Sequence, residues 1–329
     1  MVALLSAGTA FADSVRLRLS TPAPEGSSYA RELHSFSREV LSSTHGHVDA
    51  KWYMGGITGD EFTEIDRMQR GQLDGAGLAF GCERLAPSLR AVRVVGLVRS
   101  RDEASLVIRH LKPRIEEEMA RAGFTLLGLG TLGSIVALTR TPVRTLAELK
   151  KLRLWVWDKD DIQLRMLRAM GFQPVLLSLE EAGAAYDDGR IDGFLSVPSA
   201  ALAFQWSART RYFLDLPLGE VSACLVMSQR SLDALPVDER TALAAAAAKL
   251  SARIEDVGRA LDDALLGGLL EKQGSKRLTP NAAFVEQFLE EARVARDHLD
   301  DKQLPPELMS RVLGWLADYR AEQRAPAER

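Results

Sequence analysis

Gly71-Gln-Leu-Asp74-Gly75 and Gly189-Arg-Ile-Asp192-Gly193 are two copies of one phrase, and an apolar run follows each. The first copy comes after Phe62-Thr-Glu-Ile65-Asp-Arg-Met68-Gln-Arg70, whose apolar residues recur at helical spacing, and the second after residues 179–188. Glycine ends both helices, because it adopts the left-handed conformation that other residues resist, and Asp-Gly marks the turn into a strand. A helix, a turn and a buried strand repeated this far apart predict two similar α/β lobes. In open parallel sheets a ligand sits beyond the carboxyl ends of the strands, so the cleft between the lobes is the expected site.

The remaining pattern extends this plan. Residues 15–19 alternate as a strand, 21–28 break into a loop, and 29–42 read as a helix. Strands are expected at 47–53, 75–80, 124–128, 134–139, 152–157, 174–177 and 221–227, with Gly128, Gly130 and Gly133 as the crossing between lobes. A long charged helix is expected at 101–121, placed to run between the lobes. Residues 237–267, 281–299 and 305–322 read as amphipathic helices, so the C-terminal part is helical, and the run Ala242 to Ala248 suits close helix packing. The expected division is 14–128 with 217–255 in lobe I, 129–216 with 256–300 in lobe II, and 301–329 as a C-terminal helix and tail.

The chain carries 42 basic and 45 acidic side chains, without a basic stripe interleaved with aromatics, which argues against a nucleic-acid partner. Residues 1–12 end in Ala10-Phe-Ala12, the small-x-small close of a secretory signal, although a basic start is missing. No later segment offers ~18 consecutive apolar residues, so no membrane span is expected. Export suits the two cysteines, Cys82 and Cys224, which meet only if residues 221–227 return to the first lobe; two buried free thiols are the favoured expectation.

Catalytic motifs are missing. The five histidines include His45 and His47 side by side, but no second ligand cluster accompanies them, so no metal is expected. Gly128-Leu-Gly130-Thr-Leu-Gly133 matches a dinucleotide fingerprint only in its glycines, since it lies between strands and opens no helix. There is no nucleophile elbow, P-loop or H-E-x-x-H. No cofactor and no enzyme activity are expected. Aromatic residues offer a binding wall instead: Trp155 and Trp157 share a strand face, and Phe194 directly follows the second Asp-Gly turn.

Three stretches resemble the substrate-binding proteins of tripartite ATP-independent periplasmic (TRAP) transporters. Residues 48–75 follow that family's strand, loop and helix ending in G-x-x-D; 146–156 resemble its "D-L-K-G-L-K-I-R-V"; and 182–193 resemble its "E-V-Y-x-A-L-x-x-G-x-V-D-G". The resemblance implies an α/β, two-lobed, type II-like periplasmic binding-protein fold with an interlobe cleft. It also implies a soluble periplasmic protein that closes on a small organic acid and passes it to membrane transporter subunits. In the family an arginine pairs the acid, and its position here is Trp155; the position of an assisting arginine falls on Ile135, and that of a polar side chain on Ser196. An indole offers one neutral donor and an apolar face in place of a bidentate cation.

These substitutions predict a largely apolar or amphipathic, lipid-like ligand, held by Trp155, Trp157, Ile135, Leu179, Phe194 and Ser196, with Thr21, Asp60 and Phe80 contributed from strand ends. The alternative is an organic acid held by a relocated clamp at Arg153, which has the strand parity of Trp155. A third reading is an envelope interaction protein without an uptake role. A monomer is expected.

Overall fold

The computed structural model describes residues 14–302 and 304–324. The proposed signal remnant at 1–12 therefore lies outside the described residues.

The chain builds β1 (Val15–Ser20), β2 (Val48–Tyr53), β3 (Gly75–Leu78) and β4 (Phe124–Ser134), then β5 (Val136–Thr139), β6 (Leu154–Trp157), β7 (Val175–Leu177), β8 (Gly193–Ser196) and β9 (Tyr212–Leu214). It returns in β10 (Glu220–Ser228) and ends its strands with β11 (Lys276–Leu278). Two sheets result, ordered β2-β1-β3-β10-β4 and β11-β9-β5-β8-β6-β7. In the first, β1 runs parallel to β2 and β3, and β10 pairs antiparallel with β3 and β4. In the second, β6 runs parallel to β7 and β8, and β5 pairs antiparallel with β8 and β9. Each lobe thus holds a parallel trio closed by an antiparallel strand, and each of those strands adjoins a crossing.

Both copies of the opening phrase perform the same local work. Gly71 and Gly189 have φ of +72° and +71°. The second glycine of each copy admits a neighbouring strand: a Cβ at Gly75 would lie 2.6 Å from the Val226 carbonyl oxygen, and one at Gly193 would lie 2.3 Å from that of Leu138. Between them, the Asp74 carboxylate accepts from the backbone N–H and guanidinium of Arg18, at 2.8 and 2.9 Å. Asp192 accepts the equivalent pair from Arg153, at 2.9 and 3.0 Å. Each aspartate also donates its own N–H, at 2.8 Å, to the carbonyl of the arginine it binds. The phrase is a lock between helix end and sheet, made twice.

The crossing differs from expectation. Gly128, Gly130 and Gly133 lie within the unbroken β4, and the chain changes sheet at Ile135. A long partner strand decides this, since β10 pairs with β4 from Phe124 to Ser134. The helix Arg101–Arg121 packs along β4 rather than running between the lobes. The helix Val237–Ala264 lies on β4 and on the helix Ser28–Ser43, burying Ala246 and Ala247. Of the last two helices, Ala282–Arg296 packs on the second lobe and Pro306–Arg324 on the first.

The cysteines also depart from the favoured expectation, because Cys82 and Cys224 form a disulfide with Cα atoms 5.9 Å apart. Pairing of Cys224 opposite Leu78 brings β10 beside the helix Phe80–Leu85 that carries Cys82. The bridge spans 142 residues of sequence. Crosslinks over long loops restrict the unfolded chain most, in the chain-entropy account by up to about 5 kcal/mol. Replacing both cysteines with alanine is expected to lower the unfolding free energy by about 2 to 5 kcal/mol in a urea titration. An unchanged midpoint would show that the bridge adds nothing to stability.

Candidate functional site

One cavity of about 800 Å³ lies between the two sheets and draws its wall from both lobes. Residues at strand ends supply part of it, as in other open α/β sheets. Thr21, Asp60 and Phe80 line it from the first lobe, Ile135 from the crossing, and Trp155, Trp157, Leu179 and Ser196 from the second. Two expected residues lie elsewhere. Phe194 is fully buried behind the wall, its ring parallel to Trp206 at 4.6 Å and stacked on Tyr186 at 5.1 Å. Arg153 is turned to the surface, where Asp192 holds its Nε and Nη at 3.0 and 2.7 Å.

The structure therefore places Arg153 away from the cavity wall that a relocated clamp would have to line. Its guanidinium occupies the place that Arg18 takes in the first lobe, tying down the aspartate of the repeated phrase. That pairing holds the Asp192 carboxyl below the usual carboxylate range.

Trp155 forms an apolar wall. Its Nε1–H donates to the Leu177 carbonyl at 3.0 Å, so its only polar group is used within the lobe. The ring packs edge-on against Trp206, with centroids 4.9 Å apart. Trp157 meets Phe80 of the opposite lobe at 4.7 Å. Behind Phe80 lies the buried Arg93, 4.5 Å from the ring centroid. Arg93 pairs with Glu83 at 3.2 Å and with Asp160, which caps the helix Asp161–Ala169 of the second lobe. A second polar bridge joins the lobes where the Tyr29 hydroxyl donates to Ser199 Oγ at 3.2 Å.

Sequence reasoning missed the residues able to receive an anion. Among the described residues the cavity wall holds one arginine, Arg209, and one lysine, Lys159. Lys159 is paired with Asp158 at 3.0 Å. Arg209 donates through Nη1 to the Gly183 carbonyl and to Asp187, and its Nε and Nη2 find no acceptor among the described residues. The Trp206 Nε1–H is likewise without an acceptor there, and it lies near the same guanidinium: a Cβ at Gly183 would lie 3.6 Å from Arg209 Nη1 and 3.8 Å from Trp206 Nε1. Glycine at 183 leaves both groups uncovered. The Arg209 and Asp187 side chains are 36% and 57% exposed, so their pairing contributes only about 0 to 1 kcal/mol and yields readily to a ligand. Arg209 sits in a loop without a motif, so nothing local in the sequence pointed to it.

Several acids near the cleft are buried. Glu61, on the cavity wall, accepts from the backbone N–H groups of Ala79 and Gly81, yet burial pushes it up to about 8. Burial also raises Glu64 to about 7 and Glu220 to about 7. Among the described residues there is no group of three or more His, Cys, Asp or Glu that could hold a metal ion.

Two lobes around a cavity with an apolar wall and a small polar corner define a binding protein for small solutes. The chain matches the bacterial extracellular solute-binding protein family 7 over residues 19–300 and belongs to that family. A solute-binding protein of Chromohalobacter salexigens is 26% identical over 223 residues, which make up 66% of this chain and 65% of that relative. Solved structures share the fold. The sugar acid binding protein of Advenella mimigardefordensis, in complex with galactonate, has a TM-score of 0.86 at 16% identity, covering 93% of this chain and 99% of that one. An extracytoplasmic solute receptor of Bordetella pertussis that binds pyroglutamic acid has a TM-score of 0.83 at 18% identity, covering 92% and 100%. The family comprises extracytoplasmic solute-binding proteins rather than enzymes. No helix among the described residues is long and apolar enough to cross a membrane.

The buried acids give stability a pH dependence with a definite sign. Between the ordinary carboxyl range and the raised values of Glu61, Glu64 and Glu220, the folded chain holds protons that the unfolded chain has released, so stability falls as pH rises. Urea denaturation is expected to show a loss of stability from about pH 5 to about pH 8, with a shallower loss in Glu61→Gln. Equal slopes for the two proteins would remove Glu61 from this account.

Proposed function

We propose that this protein captures a small organic acid between its lobes, holds the carboxylate on Arg209 and the Trp206 Nε1–H, and delivers the acid to the membrane subunits of a TRAP transporter. The observation that carries the reading is that the one arginine on the cavity wall among the described residues stands beside an uncommitted indole donor. Together they offer a carboxylate a charged and a neutral donor in a corner otherwise backed by aromatic rings. Acids in the structures of the Advenella and Bordetella relatives support the class of cargo.

The expectation of a largely apolar cargo without a carboxylate gives way to this reading, because the related structures hold acids. What remains of it is the Trp155 wall. The family arginine is replaced by a ring with no free donor, so the acid is received at another corner, and its carbon skeleton rests against indole. Closure follows from the same geometry, since Phe80 and Trp157 come from opposite lobes and shield the cavity only when the lobes approach.

Calorimetric titration with pyroglutamate, D-glucuronate and octanoate tests the proposal. At least one of these acids is expected to bind, and Arg209→Ala should weaken it by about 1.5 to 3 kcal/mol, the range for hydrogen bonds to charged groups. Arg153→Ala should leave binding intact. Loss of binding in Arg153→Ala but not in Arg209→Ala would restore the clamp at Arg153. Binding of an uncharged apolar probe with none of the acids would favour the apolar cargo.

A further inference from the structure

The cavity is larger than its acid corner requires. At about 800 Å³ it lies in the upper part of the range for pockets that enclose drug-sized ligands, about 300 to 1,000 Å³. Its wall continues from the cleft into the layer between the first sheet and its covering helices. There it is formed by Leu33 of the helix Ser28–Ser43, Leu250 and Ile254 of the helix Val237–Ala264, and Ala223 and Leu225 of β10. Gly130 on β4 pairs with Ala223 and faces this space, and a Cβ placed there would meet no atom within 4 Å. The hollow is local: at Gly128, two residues back on the same face, a Cβ would lie 2.0 Å from Ser251 Oγ. Helix and sheet touch at one point and part at the next.

We propose that this arm receives an unbranched aliphatic chain, which makes the cargo a straight-chain carboxylic acid of medium length, its head at Arg209 and its tail between β4, β10 and the two helices. The inference rests on the acid reading above for the head, while the tail rests on the arm alone. Apart from the Ser251 hydroxyl and the Tyr29 hydroxyl at its mouth, the arm presents methyl and methylene groups. A sugar acid would leave its hydroxyls facing these groups without partners, whereas an alkyl chain requires none.

A calorimetric series from butanoate through hexanoate and octanoate to decanoate on the full chain tests this. Affinity is expected to rise about fourfold per added methylene, the factor for burying one CH₂. Gly130→Leu, which fills the arm, should flatten the series so that decanoate binds no tighter than hexanoate. Ala223→Leu should do the same and serves as the second variant if the first does not fold. Arg209→Ala should lower the whole wild-type series by a common factor and keep its slope. An unshifted series that keeps its slope would fail the head while leaving the tail standing. A wild-type series with no slope, no binding by any member, or a slope that survives in both arm-filling variants would overturn the arm.

Discussion

Two of the crossings between the sheets, the one after β4 and the one before β10, are bonded to one another, and the cleft depends on that bond. Ile135 donates its N–H to the Gly219 carbonyl at 2.8 Å and accepts from the Leu218 N–H at 2.9 Å. One residue therefore carries the chain outward while being paired with the strand that brings it back. Because β4 and β10 stay paired up to this point, the first sheet ends where the second begins, and the carboxyl ends of β3 and β8 face one another across the cavity. Ile135 is on the wall for the same reason. Away from this junction the lobes also meet through side chains, Phe80 on Trp157, Arg93 with Asp160 and Tyr29 with Ser199.

The phrase repeated in each lobe decides what its arginines do. Asp74 with Arg18, and Asp192 with Arg153, fasten a helix end to its sheet in each lobe, so neither arginine is free for a ligand. Two residues beyond Arg153, at the position to which the family resemblance assigns a cation, an indole turns its donor inward to Leu177. Burying a guanidinium among Phe194, Trp206 and Trp155 would be costly without a partner, and burying the rings is favourable. In the proposed reading the charge that an acid needs stands instead at the partly exposed rim, on Arg209, where solvation keeps it inexpensive.

Much of the fold was legible in the sequence because it rests on periodicity and on turn chemistry. The paired Gly-x-x-Asp-Gly phrases located both helix ends and both strands, and the apolar spacing located the long helices. The crossing was misplaced because glycines in β4 read as a flexible link, whereas their tolerance depends on β10, a partner nearly a hundred residues away in sequence. Free thiols were favoured over the disulfide for the same reason, since only the pairing of β10 with β3 brings Cys224 near Cys82. At the site, residues at strand ends were accessible to sequence reasoning: Thr21, Phe80, Trp155 and Trp157 all reach the cavity. Arg153 and Phe194 were not, because strand parity says which residues share a face and leaves open what already occupies it. Arg209 carried no local signal, and only the fold brings it beside Gly183.

The central claim, that the carboxylate is received by Arg209 and the indole of Trp206 while Trp155 contributes only its ring, is most directly tested by following indole N–H resonances during titration with pyroglutamate, D-glucuronate and octanoate. The five tryptophans give a small, assignable set of signals. The account predicts that a binding acid shifts the Trp206 Nε1–H strongly downfield, as a new charge-assisted hydrogen bond does, and leaves the Trp155 Nε1–H bonded to Leu177. Saturation by an acid with the Trp206 signal unmoved, or with the Trp155 N–H taking up the new bond in its place, would contradict it.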